Sequence, residues 1–203
     1  MRKDNNFLQG LYFDNERNQF IESAGLYGKS KVQWLEEDSE DNRVLNPANE
    51  VDFVMDKQYF GEGLSPRNPS EFVVLTWREN TVFVLNRQSL AMTDRYPFPE
   101  GLREGWGVTA IEEAGDMDYV LYMSDGTSKI YAVDGATMTT RSSITVKDSR
   151  GEEVSRINEL EYVDGYIYAN IWYRDVLIKI NPNTGLIEKE WDIGTLAKAE
   201  HTY

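Results

Sequence analysis

Four residues at matching places along the chain carry groups that can do chemistry: Gln9, Glu62, Trp106 and Asn158. They supply a carboxylate, two amides and an indole, spaced between 44 and 53 residues apart. A carboxylate can carry a proton, amides can donate hydrogen bonds to developing charge, and an indole can wall a pocket against water. Gly10, Gly63 and Gly107 follow three of the four, and a missing side chain there lets backbones crowd together. Alone, Gly105-Trp106-Gly107 is a turn with an aromatic in it, and GxG without a helical continuation has little value as a nucleotide signature. Its meaning comes from the matching positions, which read as a site rather than a core.

The elements that must position these residues are β-strands. Apolar residues come in short runs rich in Val, Ile, Tyr, Phe and Trp, such as "FVVLTW", "TVFVLN", "YVLYMSDG", "KIYAVDG", "GYIYANIWY" and "VLIKINPNTG". Asp125-Gly126, Asp134-Gly135 and Asp164-Gly165 are tight-turn candidates. Only "GTLAKAEHTY" at the end has a helical look, and the acidic "EEDSEDNR" reads as a solvated loop. The chain is expected to be all-β. Four copies of one strand-turn-strand plan begin at Gln9, Glu62, Trp106 and Asn158, at the blade period of a β-propeller. In that architecture the first strand of each blade lines a central channel, so the four residues are expected around one channel mouth.

At 203 residues there is room for one domain, taken as residues 1–203. With 21 Lys plus Arg against 35 Asp plus Glu, the formal charge of −14 argues against nucleic acid or an anionic membrane surface and for a basic or neutral partner. The absence of cysteine excludes a thiol nucleophile, a disulfide framework and thiolate metal sites. "MRKDNNFLQG" lacks the apolar run of a signal peptide and no stretch of 18 apolar residues occurs, so the chain reads as soluble and untargeted, its compartment open. Ser124-Asp125 in "MSDGT" would need a histidine base to act as a nucleophile; the only histidine is His201 in the tail, so SDG is read as a hairpin turn. Asp116 and Asp118 are too few for a calcium loop.

Several motifs together carry a family resemblance: "FLQGLYF", "ESAGLYGKSKVQ", "YFGEGL", "VVLTW", "EGWGVT", "LYMSDGTSKIYAVD" and "RINELEYVDGYIYANIWYRDVLIKINPNTGLI". The chain resembles the plant and bacterial type of glutaminyl-peptide cyclotransferase from about Phe7 to about Leu196. INELEYV followed by YANIW is the specific part of the match. The resemblance implies a five-bladed β-propeller that converts an N-terminal glutamine of a peptide or protein to pyroglutamate with release of ammonia. It implies no required metal or other cofactor, unlike the unrelated zinc-dependent animal enzymes. Matched by motif, the pocket would comprise Phe7 and Gln9, Phe60 and Glu62, Trp77, Trp106, Asn158 and Trp172. Family members continue past Gly194-Thr195-Leu196 into an NGIA-like strand and a TGK-like turn whose lysine faces the pocket, and neither is in this sequence. The expectation is therefore a five-bladed plan with the last blade incomplete, and a partner protein could complete or cap it.

Under that resemblance Glu62 would take a proton from the α-amine and return it to the leaving ammonia, Asn158 and Gln9 would donate to the oxyanion, and Trp77, Trp106 and Trp172 would form walls. Phe7 and Phe60 would complete the substrate side. Blander readings stand beside these: a Trp in a β-rich chain is most often core, a Glu beside Gly is usually solvated, and Phe7 and Phe60 could plug blade contacts. The rival reading is a propeller that binds or scaffolds without catalysis. A sugar-acting propeller fits less well, because one carboxylate stands among the four matched positions and glycoside hydrolysis usually uses two.

Overall fold

The structure is a computed structural model, and it describes residues 7–38, 45–48, 52–111 and 119–195. Asp116, Asp118, His201, most of the acidic loop and the tail from 196 onward lie outside these residues; Gly194-Thr195 begin a helical turn. Everything else regular is strand, in four antiparallel sheets that follow one another along the chain. Blade 1 is β1 (Phe7–Asp14), β2 (Gln19–Gly25), β3 (Lys31–Glu37) and β4 (Leu45–Pro47), with β5 (Phe53–Val54) also pairing with β3. Blade 2 is β6 (Gly61–Asn68), β7 (Glu71–Thr76), β8 (Val82–Asn86) and β9 (Met92–Tyr96). Blade 3 is β10 (Val108–Ile111), β11 (Val120–Ser124), β12 (Lys129–Asp134) and β13 (Thr140–Thr145). Blade 4 is β14 (Ile157–Val163), β15 (Tyr166–Ile171), β16 (Arg174–Ile180) and β17 (Ile187–Asp192). This is a four-bladed propeller arrangement, with outer strands β9, β13 and β17 largely exposed.

Strand periodicity explains the packing. On β7, Phe72 and Val74 face blade 1 while Val73 and Leu75 face blade 3; on β8, Phe83 and Leu85 take the first side and Val82 and Val84 the second. Middle blades are buried on both faces, which is why "FVVL" and "VFVL" are unbroken apolar runs. A third cluster, with Ile130, Val146, Ile157, Ile167 and Ile178, joins blades 3 and 4. Three apolar cores thus seat four blades. The inner strands β1, β6, β10 and β14 pack in succession, and no contact of comparable extent joins β14 back to β1 among the described residues. Leu8, Leu11 and Phe13 on β1 and Val163 on β14, the two strands that border that gap, stay exposed.

Turns fall where Asp-Gly pairs stand. Asp164 and Gly165 adopt φ of 49° and 85° between β14 and β15, the two positive values of a type I′ hairpin turn. Asp125 accepts from the Thr127 backbone N–H and hydroxyl in the loop joining β11 to β12, so SDGT is a hairpin turn as expected. Asp14, at the end of β1, is fully buried and ion-paired at 2.7 Å with Arg87, which follows β8, locking blade 1 to blade 2.

Candidate functional site

The inner strands bring the matched positions together by close backbone contact. A methyl on Gly10 would lie 2.5 Å from the Leu64 nitrogen, and one on Gly63 would lie 2.7 Å from both the Trp106 oxygen and the Val108 nitrogen. One on Gly107 would overlap the Asn158 carbonyl oxygen and the Glu159 Cα. Each glycine is therefore the seat of the next blade, as the repeat register predicts. Three of the four matched residues also sit at irregularities of strand pairing. The register jumps from Leu8 to Gly10 on β1, from Gly61 to Leu64 on β6, and from Ile157 to Leu160 on β14. Gln9, Glu62 and Asn158 are among the residues skipped, and a bulge re-aims a side chain that a regular ladder would hold perpendicular to the sheet. Trp106 differs from expectation in standing just before β10 rather than at its head. Its backbone N–H still donates to the Ser124 carbonyl of β11, while its own carbonyl turns across the blade interface to accept from Gly63 N–H.

Glu62 is 7% exposed. Burial, then the charges of Glu79 and Glu104, push its carboxyl from the ordinary 4.5 up to about 9, so it carries a proton at neutral pH. Glu159, next to Asn158, has a buried Oε2 without a hydrogen-bond partner, and burial followed by the Glu62 and Glu161 charges holds it well above the ordinary range. The Glu159 N–H donates to Asn170 Oδ1 at 2.9 Å, which fixes the Asn158-Glu159 bulge. Ser124 is a strap rather than a nucleophile: its hydroxyl accepts from Gly107 N–H at 2.8 Å and donates to the Asn158 carbonyl at 2.7 Å.

Four of the five expected aromatic residues form a wall. Phe60 meets Trp77 edge-on with centroids 5.8 Å apart, and Trp106 meets Trp172 edge-on at 5.3 Å. Glu104 joins the two pairs, since both indole N–H groups donate to its Oε2, from Trp77 at 2.8 Å and from Trp106 at 2.9 Å. Trp172 is 44% exposed and packs on Tyr173. Phe7, at the start of β1, is 61% exposed and stands outside these ring contacts; Gln9 is half-buried.

The sequence reading missed Glu79, Glu104, Glu159 and Asn170, and read Ser124 only as part of a hairpin turn. It also placed one carboxylate at the mouth, whereas Glu79 and Glu104 act on Glu62, and Glu62 in turn acts on Glu159. Two of these are occupied: Glu104 by the indoles and Arg78, and Glu79 by the Tyr27 hydroxyl and the Phe60 N–H. The available signal was adjacency, with Glu104 two residues before Trp106 and Glu79 two after Trp77. No cluster of three or more His, Cys, Asp or Glu able to hold a metal ion occurs among the described residues, and no helix among them is long and apolar enough to cross a membrane.

Fold and site together define a β-propeller with a buried acid and an aromatic wall where its inner strands begin. The chain matches the model of the glutamine cyclotransferase family over residues 2–203 and belongs to that family. It is 35% identical over 179 residues to the glutaminyl-peptide cyclotransferase of Arabidopsis thaliana, covering 88% of this chain and 50% of that protein. The crystal structure of Myxococcus xanthus glutaminyl cyclase superimposes with a TM-score of 0.76 at 26% identity, over 98% of this chain and 76% of that one. A Bacteroides caccae protein of unknown function shares the fold alone, at 13% identity and a TM-score of 0.51 over 86% of this chain and 58% of its own. The chain thus spans about half the length of the curated relative it matches.

Proposed function

We propose that this chain cyclises an N-terminal glutamine to pyroglutamate, releasing ammonia, with Glu62 as the proton carrier. The supporting observation is the carboxyl of Glu62, buried and held above its ordinary range beside the aromatic wall of a chain that belongs to the glutamine cyclotransferase family. The α-amine nitrogen attacks the side-chain amide carbon, a C–N bond forms in a five-membered ring, and the bond to the amide nitrogen breaks. Burial and its carboxylate neighbours lift Glu62 into the range of a free α-ammonium, about 8, so a proton passes readily between the two. The neutral amine is the nucleophile; the Glu62 carboxyl gives its proton to the departing nitrogen, and the carboxylate this leaves takes the proton shed by the ring nitrogen, restoring Glu62. Asn158 and Gln9 donate to the oxyanion; Phe60, Trp77, Trp106 and Trp172 exclude water and hold the amine end, with Phe7 at the outer rim.

Ammonia release from a glutamine-initiated peptide tests the reading. The Glu62→Gln variant is expected to lose 10²-fold or more in kcat, on the order of a general acid–base contribution, while a chelator changes nothing. A folded wild-type protein that releases no ammonia would overturn it, in favour of a propeller that binds without transforming. The exposed apolar residues flanking the gap between β14 and β1 support a fifth sheet completing the ring, from this polypeptide or from a partner. A crystal structure of the natural full-length protein with that gap closed by blades 1 and 4 meeting directly would exclude it.

A further inference from the structure

Resting on that reading of the pocket, we infer that Glu104 is a positioning residue that sets the spacing of Trp77 and Trp106, and so the width of the substrate slot. The two tryptophans belong to different blades, Trp77 following β7 and Trp106 preceding β10, and their rings do not meet each other directly. One carboxylate oxygen spans them by accepting both indole N–H groups, and Oε1 accepts from Arg78 Nε at 2.8 Å. The Arg78 guanidinium stands over the Trp77 ring, 3.8 Å from its centroid, in a cation–π contact. The backbone repeats the link, because Gly105 N–H donates to the Trp77 carbonyl at 2.9 Å and Trp77 N–H to the Phe60 carbonyl at 3.0 Å. Each wall residue is thereby referred to one anchored anion.

Only a carboxylate, with two acceptor oxygens and a charge, suits all three donors. A glutamine at 104 offers one oxygen to the two indoles but turns an amide N–H₂ toward Arg78, a donor against a donor. An alanine leaves both indole N–H groups without a partner and both rings free to turn. Glu104 also sits among the carboxylates that face Glu62, with Glu79 and Glu159, so its charge tunes the proton carrier it frames.

The experiment uses indole 15N–1H spectra of the five tryptophans, with Trp77→Phe and Trp106→Phe for assignment, beside kinetics of Glu104→Ala and Glu104→Gln. In Glu104→Ala the Trp77 and Trp106 signals are expected to move together and to exchange faster with solvent, while those of Trp34 and Trp191 stay. Its kcat/KM falls on the order of 10²-fold, the scale of an ångström of misplacement, mostly through KM. In Glu104→Gln the two signals stay paired, KM changes less, and the alkaline limb of the kcat/KM profile moves to lower pH as Glu62 loses a negative neighbour. Unmoved Trp77 and Trp106 signals in the alanine variant overturn the clamp, whatever the activity. Signals that move in a wild-type background releasing no ammonia uphold the clamp and overturn the cyclisation reading instead.

Discussion

Glu62 sets function against stability at a single position. In the unfolded chain its carboxyl ionises near 4.5, and in the fold it holds its proton to about pH 9. A carboxyl whose value is raised on folding contributes its full stability below the unfolded value and loses it as pH climbs through the folded one. At pH 7 folding must therefore protonate Glu62, at a cost of roughly 3 kcal/mol. Glu62→Gln removes that cost: the variant is expected to be more stable by about this amount at pH 7 in chemical denaturation, with the difference vanishing near pH 4. A variant no more stable than wild type at pH 7 would show that the carboxyl is not held protonated. Glu159 acts in the same direction, its buried oxygen having no partner to offset desolvation.

Among the elements, blades 1 and 2 are joined by polar contacts as well as apolar ones. The Asp14–Arg87 pair is nearly dry, with Arg87 also donating to the Pro69 carbonyl, so truncating it strands a buried carboxylate at the end of β1. Arg87→Ala is expected to cost about 3–5 kcal/mol in urea unfolding, and a loss under 1 kcal/mol would mean that water replaces the guanidinium. Much at this scale was legible beforehand. The apolar runs located the strands, Asp-Gly pairs located the turns, and the glycines after Gln9, Glu62 and Trp106 located where blades touch. Bulges were not legible, because a register jump depends on which partner residues pair, and the sequence of β6 alone does not say where β7 starts. Glu104 was hidden for the same reason: its partners Trp77 and Trp106 meet only once two blades are docked. The difference between middle and end blades was legible in principle, in the unbroken "FVVL" against the alternating burial of "YIYANI".

Across the whole molecule, a formal charge of −14 and the Glu104 carboxylate beside the aromatic wall make a negative field that, under the proposed cyclisation, would draw in the cationic N-terminus of a peptide. Added salt is expected to lower kcat/KM for a glutamine-initiated peptide by slowing encounter, leaving kcat nearly unchanged. A salt-independent kcat/KM would remove steering from the account. The bulges carry a last consequence. Gln9, Glu62 and Asn158 are among the residues that strand pairing skips, so replacing their side chains withdraws nothing from the ladders that hold the blades. Scaffold and chemistry are written in separate letters of the same strand. A lineage built on this plan is free to rewrite the second set, abandoning one reaction or acquiring another, without ever passing through an unfolded ancestor.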